Sequence, residues 1–107
     1  MGQSVGDGHL AYNEPLTVRY STSFREVLLG GFEDSGGYEL DLGADAPADL
    51  SAVQVILAAR AFAKDRGKTF ALARPAAGPL AEVLRQGGFL DEAAADDRAF
   101  WLQNEEV

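Results

Sequence analysis

Asp49, Leu50 and Ser51 stand where a short loop runs into the longest apolar helix signal of the chain. A carboxylate and a hydroxyl two residues apart at a helix start support two chemistries. Either oxygen can cap the helix by accepting a first-turn amide proton. Both have the spacing for it, because Ser51 precedes Gln54 by three residues and Asp49 precedes Ala52 by three. If Asp49 caps, Ser51 lies in the first turn with its hydroxyl available as a switch. A phosphate on it would add roughly −1.5 to −2 charges beside the positive helix end. Asp49 would repel that phosphate, so a partner cation would be needed to hold it. The junction also lies just past the central strand predicted at residues 38–42, where α/β folds usually meet ligands and partners.

The rest of the chain offers little other chemistry. It has no cysteine, hence no disulfide frame, thiolate nucleophile or zinc cluster. His9 is the lone histidine and lies near the start, so no Ser-His-acid set can be assembled and catalysis is not expected. Asp91, Glu92, Asp96 and Asp97 lack the spacing of a calcium loop and read as a solvated face. Arg25, Arg60 and Arg74 could hold an anion but are scattered. Asp41 or Asp45, with Pro47 following, could be the phosphoacceptor of a receiver domain. That chemistry needs an acidic pair after the first strand, and Ser21-Thr22 follow residues 16–20 instead.

With 107 residues there is enough chain for one small core. The net charge of −8 argues against a nucleic-acid backbone or an anionic membrane as partner and suits a basic protein patch. No window approaches the roughly eighteen apolar residues of a membrane span, so no membrane insertion is expected. Residues 1–8 are Gly/Ser-rich without a basic region and read as a flexible tail, leaving residues 9–107 as one domain. The absence of cysteine fits a cytoplasmic location.

The elements that must position the junction follow from pattern. Residues 9–12 and 16–20 predict two short strands separated by an Asn13-Glu14-Pro15 turn. Ser23 and Glu26 have capping-box spacing, with Phe24, Val27, Leu28 and Phe32 at helical intervals; this predicts a helix to about Asp34. Gly30-Gly31 either marks a close-packing point or ends the helix early. Residues 38–42 give the clearest strand and residues 50–66 the clearest helix, stopped by Gly67. On that helix Leu50, Val53, Leu57 and Ala61 form one stripe, and only Gln54, Arg60 and Lys64 interrupt the apolar surface before the last turn. A helix apolar nearly all round is flanked by neighbouring elements, or offers its far face to a partner. Residues 69–73 predict a strand. Gly78-Pro79 opens a helix striped by Leu80, Val83 and Leu84. Phe100, Trp101 and Leu102 predict a short docked helix or strand. The alternation implies an α/β fold with a mainly parallel sheet, to which the N-terminal pair could add an antiparallel edge.

The ordered set of these features resembles the STAS domain of anti-sigma-factor antagonists. The carrying residues are Leu40-Asp41-Leu42, then Asp49 to Val53 opening a helix, Asp65-Arg66-Gly67-Lys68, the strand over residues 69–73, Pro75, and Gly88-Phe89-Leu90. The resemblance as a whole covers about residues 16–90. The resemblance implies a four- or five-stranded sheet and a non-catalytic regulatory domain without cofactor. Its partner would be an anti-sigma factor or related GHKL-type kinase, met through Asp49, Leu50, Ala52, Val53 and Gln54. Ser51 falls on the family's phosphoacceptor serine and Asp49 on the aspartate before it. Leu50 and Ala52 depart from the family's serine and glycine. That departure suits the alternative of a non-phosphorylated STAS subunit clamped on a lipid-transport ATPase.

Overall fold

The computed structural model describes residues 8–90 and 95–103. Three strands, β1 (Gly8–Tyr12), β2 (Gly37–Leu42) and β3 (Thr69–Leu72), form a sheet in the order β1-β2-β3. Both ladders are parallel, with Leu10 opposite Leu40 and Leu40 opposite Leu72. Helix α1 (Ser21–Gly30) connects β1 to β2, and α2 (Leu50–Asp65) connects β2 to β3. Helices α3 (Gly78–Gln86) and α4 (Ala95–Leu102) follow.

The sheet buries one face. Tyr12, Tyr38, Leu40 and Leu72 point into the core with Phe24 and Leu28 of α1 and Val53, Ile56 and Ala63 of α2. On the other face His9, Ala11, Glu39, Thr69 and Ala71 are exposed. This is why each strand alternates apolar and polar rather than running apolar throughout, as strands covered on both faces do. Each fully buried Leu, Ile or Phe contributes about 1.5–3 kcal/mol relative to exposure.

Several expectations are corrected. Residues 16–20 form no second strand. Leu16 makes a single parallel bridge to Ala48, and Val18–Tyr20 then wind into a 3-10 turn. The amide of Val18 is taken by the Asp49 carboxylate and its carbonyl by the Ser21 hydroxyl, so neither serves a ladder. Without that hairpin, β1 pairs with β2 through α1 and lies parallel instead of forming an antiparallel edge. The sheet has three strands among the described residues, not four or five. Ser23, finally, is inside α1 and caps nothing: the helix starts at Ser21 after Tyr20, with no side-chain cap bond.

The same helix ends at Gly30 rather than near Asp34, which takes a positive φ of 58° in the turn that follows. Gly31 is a close-packing point, since a Cβ there would sit 2.6 Å from the Tyr38 ring. On α2 the buried stripe is Ala52, Val53, Ile56, Ala59 and Ala63, whereas Leu50 and Ala61 are exposed. Small alanines set the helix close to the sheet, while Leu57 packs at the margin of the core and Leu50 is left exposed. Gly67, at φ 69°, ends α2 as expected. The C-terminal apolar triplet is helical, with Trp101 buried in α4.

Candidate functional site

The junction predicted from residues 49–54 is built by two loops that meet beyond the carboxyl ends of β1 and β2. Leu16 donates its amide to the carbonyl of Pro47 at 2.7 Å, and Asp49 donates its amide to the carbonyl of Leu16 at 3.0 Å. Pairing thus resumes past the strand ends with the second loop two residues longer, because Tyr12 faces Leu42 but Leu16 faces Ala48. The extra residues form the Gly43-to-Pro47 loop that carries the chain into α2.

Asp49 is the helix cap. It is extended in backbone, and its Oδ1 accepts the Ser51 amide at 2.9 Å while its Oδ2 accepts the Val18 amide at 2.9 Å. One carboxylate therefore ties the 3-10 turn to the start of α2. Ser51 lies in the first turn, and its hydroxyl is not free. It donates to Asp49 Oδ1 at 2.5 Å. The Ser51 hydroxyl is the largest influence holding the Asp49 carboxyl below its ordinary range. The amides of Val18 and Ser51 add to it, and partial burial opposes them. A carboxylate so stabilised is a weak base, so it does little to activate Ser51 as a nucleophile. Nor is the histidine near. His9 Nε2 lies 3.3 Å from Asp41, whose other oxygen accepts from Arg74 at 2.5 Å. That arginine, ahead of His9, lowers the Asp41 carboxyl.

Around Ser51 the surface is mixed. Leu50 is 48% exposed and Val18 68%, the two most exposed large apolar side chains of the described residues. Gln54 is exposed, whereas Ala52 and Val53 are buried under the junction and support it. The six residues singled out from sequence therefore divide. Asp49 is the cap, Leu50, Ser51 and Gln54 face outward, and Ala52 and Val53 pack inward. Ser51, Gln54 and Val55 form one wall of an open hollow of ≈370 Å³, with Val18, Ser21 and Arg25 opposite. A separate apolar cleft of ≈100 Å³ lies at the ends of β2 and β3, lined by Leu40, Leu42, Leu72, Pro75 and Leu80.

Among the other sequence candidates, Arg60 pairs with Asp97 at 2.7 Å and stacks 4.7 Å from the Phe100 ring centroid, so its role is to hold α4. Asp91 and Glu92 lie outside the described residues. Among the described residues no His, Cys, Asp and Glu cluster could hold a metal, and no helix is long and apolar enough to cross a membrane. The contribution of Val18 was missed because Leu16, Val18 and Tyr20 alternate as a strand would. No family model, curated protein or solved structure matches the chain.

Proposed function

We propose that this chain is a STAS-like, non-catalytic regulatory module that binds an anti-sigma factor or related GHKL-type kinase through the start of α2. The observation that carries the reading is the placement of Ser51: partly buried on the first turn of α2, at the wall of an open hollow and flanked by the exposed Leu50 and Gln54. The kinase partner would supply ATP and the base. The Ser51 oxygen attacks the γ-phosphorus, the bond to the ADP oxygen breaks, and the hydroxyl proton passes to the kinase. The product places a dianion against the Asp49 carboxylate, which in the unmodified chain accepts the hydrogen bond of the Ser51 hydroxyl. Like charges at that range repel, so the Asp49 bond to the hydroxyl is lost and the docking surface changes charge.

The test is binding by the unmodified chain and by Ser51→Asp to a candidate kinase, with intact mass after incubation with ATP. Loss of binding in Ser51→Asp and a gain of one phosphate that Ser51→Ala abolishes are expected. Equal binding by wild type and Ser51→Asp sinks the switch.

A second reading has its own support. The Ser51 hydroxyl is already engaged with Asp49, and Leu50 makes the patch apolar. Both suit a constant clamp on a transport ATPase subunit, with Ser51 serving only the helix start. Co-purification with an ATPase, unaffected by Ser51→Ala, would select it.

A further inference from the structure

The hollow beside Ser51 continues along the helices. A second hollow of ≈110 Å³, lined by Leu28, Leu29, Ala59 and Phe62, shares Arg25, Val55 and Ala58 with the first. The two make one groove between α1 and α2. It runs from Ser51 to Phe62, a rise of about 16 Å, or three helical turns. Phe62, at its far end, is stacked by the Arg66 guanidinium 4.0 Å from the ring centroid. Val55 and Ala58 form the middle of the α2 wall, and the small Ala58 lets another backbone come close.

Arg25 is at the centre. It is exposed and makes no ion pair among the described residues. Arg60, Arg66, Arg74 and Arg85, by contrast, each hold a carboxylate. The net charge of −8 favours a basic partner surface overall, but this uncommitted cation, set beside Val55 and Ala58 in a groove of mixed lining, selects for one anionic group at its own position.

We propose that this groove receives one amphipathic helix of the protein partner, about three turns long, with its apolar stripe on Val55 and Ala58 and a carboxylate on Arg25. The proposal rests on reading the α2 start as the partner surface, and it names the chemistry that fits there. It also gives the switch an electrostatic route. Ser51 and Arg25 line the same hollow. A phosphate on Ser51 would compete with the partner's carboxylate for that guanidinium and repel the carboxylate itself.

The test is a displayed library of helical peptides of about 14 residues, long enough for the groove, selected on the full chain. The best-enriched peptide is then titrated onto the isotope-labelled chain. The enriched sequences are expected to carry apolar residues at i, i+4 and i+7 with an acid at one fixed position. The amides of Arg25, Val55 and Ala58 should shift. Arg25→Glu should weaken the peptide about tenfold, and replacing the peptide's acid by lysine should restore binding.

Enriched peptides lacking a fixed acid would overturn the proposal. So would failure of the charge swap, shifts confined to the strand-end cleft or the open sheet face, or displacement of the peptide by a second copy of the chain. The two readings fail separately. If the charge swap holds and Ser51→Asp binds the peptide as wild type does, the groove stands and the switch falls. If Ser51→Asp blocks a cognate kinase while Arg25→Glu changes nothing, the junction stands and the groove falls.

Discussion

A single carboxylate organises the junction, and its three accepted protons make it testable. Asp49 holds the Ser51 amide, the Ser51 hydroxyl and the Val18 amide. Asp49→Ala should destabilise the chain by about 1–2 kcal/mol, the range for a lost cap, as read by urea unfolding at neutral pH. The pH dependence has a definite sign. The folded carboxyl titrates below its ordinary value of 3.8. Its contribution is therefore fully present above that value and is lost as pH falls through the folded one. Wild type should lose stability below about pH 4 more steeply than Asp49→Asn, which keeps an acceptor oxygen but does not titrate. Asp41 also titrates low because of Arg74, so the comparison belongs between these two chains and not with the absolute acid midpoint. Ser51→Ala removes the largest influence on Asp49. A carboxyl carbon titration should then find Asp49 moved up toward 3.8, and an unmoved Asp49 would show that the amides alone hold it.

At the scale of elements, two adjacent glycines that look alike in sequence have opposite roles. A Cβ on Gly30 would meet nothing within 4 Å, whereas one on Gly31 would strike the Tyr38 ring at 2.6 Å and Leu10 at 2.9 Å. Tyr38 cannot swing away freely, because its hydroxyl donates to the carbonyl of Leu28 at 2.6 Å in the core. Gly30→Ala should stabilise by about 0.5–1 kcal/mol, the usual gain in a helix. Gly31→Ala should destabilise by about 1–3 kcal/mol through overpacking, and denaturant midpoints of the two variants should move in opposite directions. The sequence pattern placed β2 and α2 within a residue or two because each carries its own period and its own stop. It failed at residues 16–20, where Leu16, Val18 and Tyr20 alternate as a strand would. What decides their conformation is Asp49, which is 31 residues away. The parallel pairing of β1 was hidden by the same error. At the site, Asp49 and Ser51 were legible from cap spacing. Arg25 looked like one of several scattered arginines until α1 and α2 were set side by side.

For the molecule as a whole, the weak point of a three-stranded parallel sheet is its edges, which present unpaired backbone groups to any passing strand. The β3 edge is covered by α4. The Gln103 side chain donates from Nε2 to the carbonyl of Leu72 at 2.5 Å, and Ala76 donates its backbone amide to the carbonyl of Trp101 at 2.8 Å. Phe100 packs on Phe70 with ring centroids 5.7 Å apart, and Trp101 is only 2% exposed. Arg60 reaches from α2 to Asp97 to fix the same helix. Burial of two aromatics contributes roughly 3–6 kcal/mol, comparable to the whole stability of a small domain. A chain ending at residue 90 is therefore expected to lose cooperative unfolding and to self-associate through the bared β3 edge, seen as larger species by light scattering. Gln103→Ala separates the two effects. It opens one carbonyl and leaves the aromatics in place, so it should cost about 1 kcal/mol and leave the fluorescence of Trp101, the only tryptophan, unchanged. Phe100→Ala should instead shift that emission to the red as α4 loosens from Phe70. If the shortened chain stays a monomer with wild-type stability, α4 neither guards the edge nor completes the core.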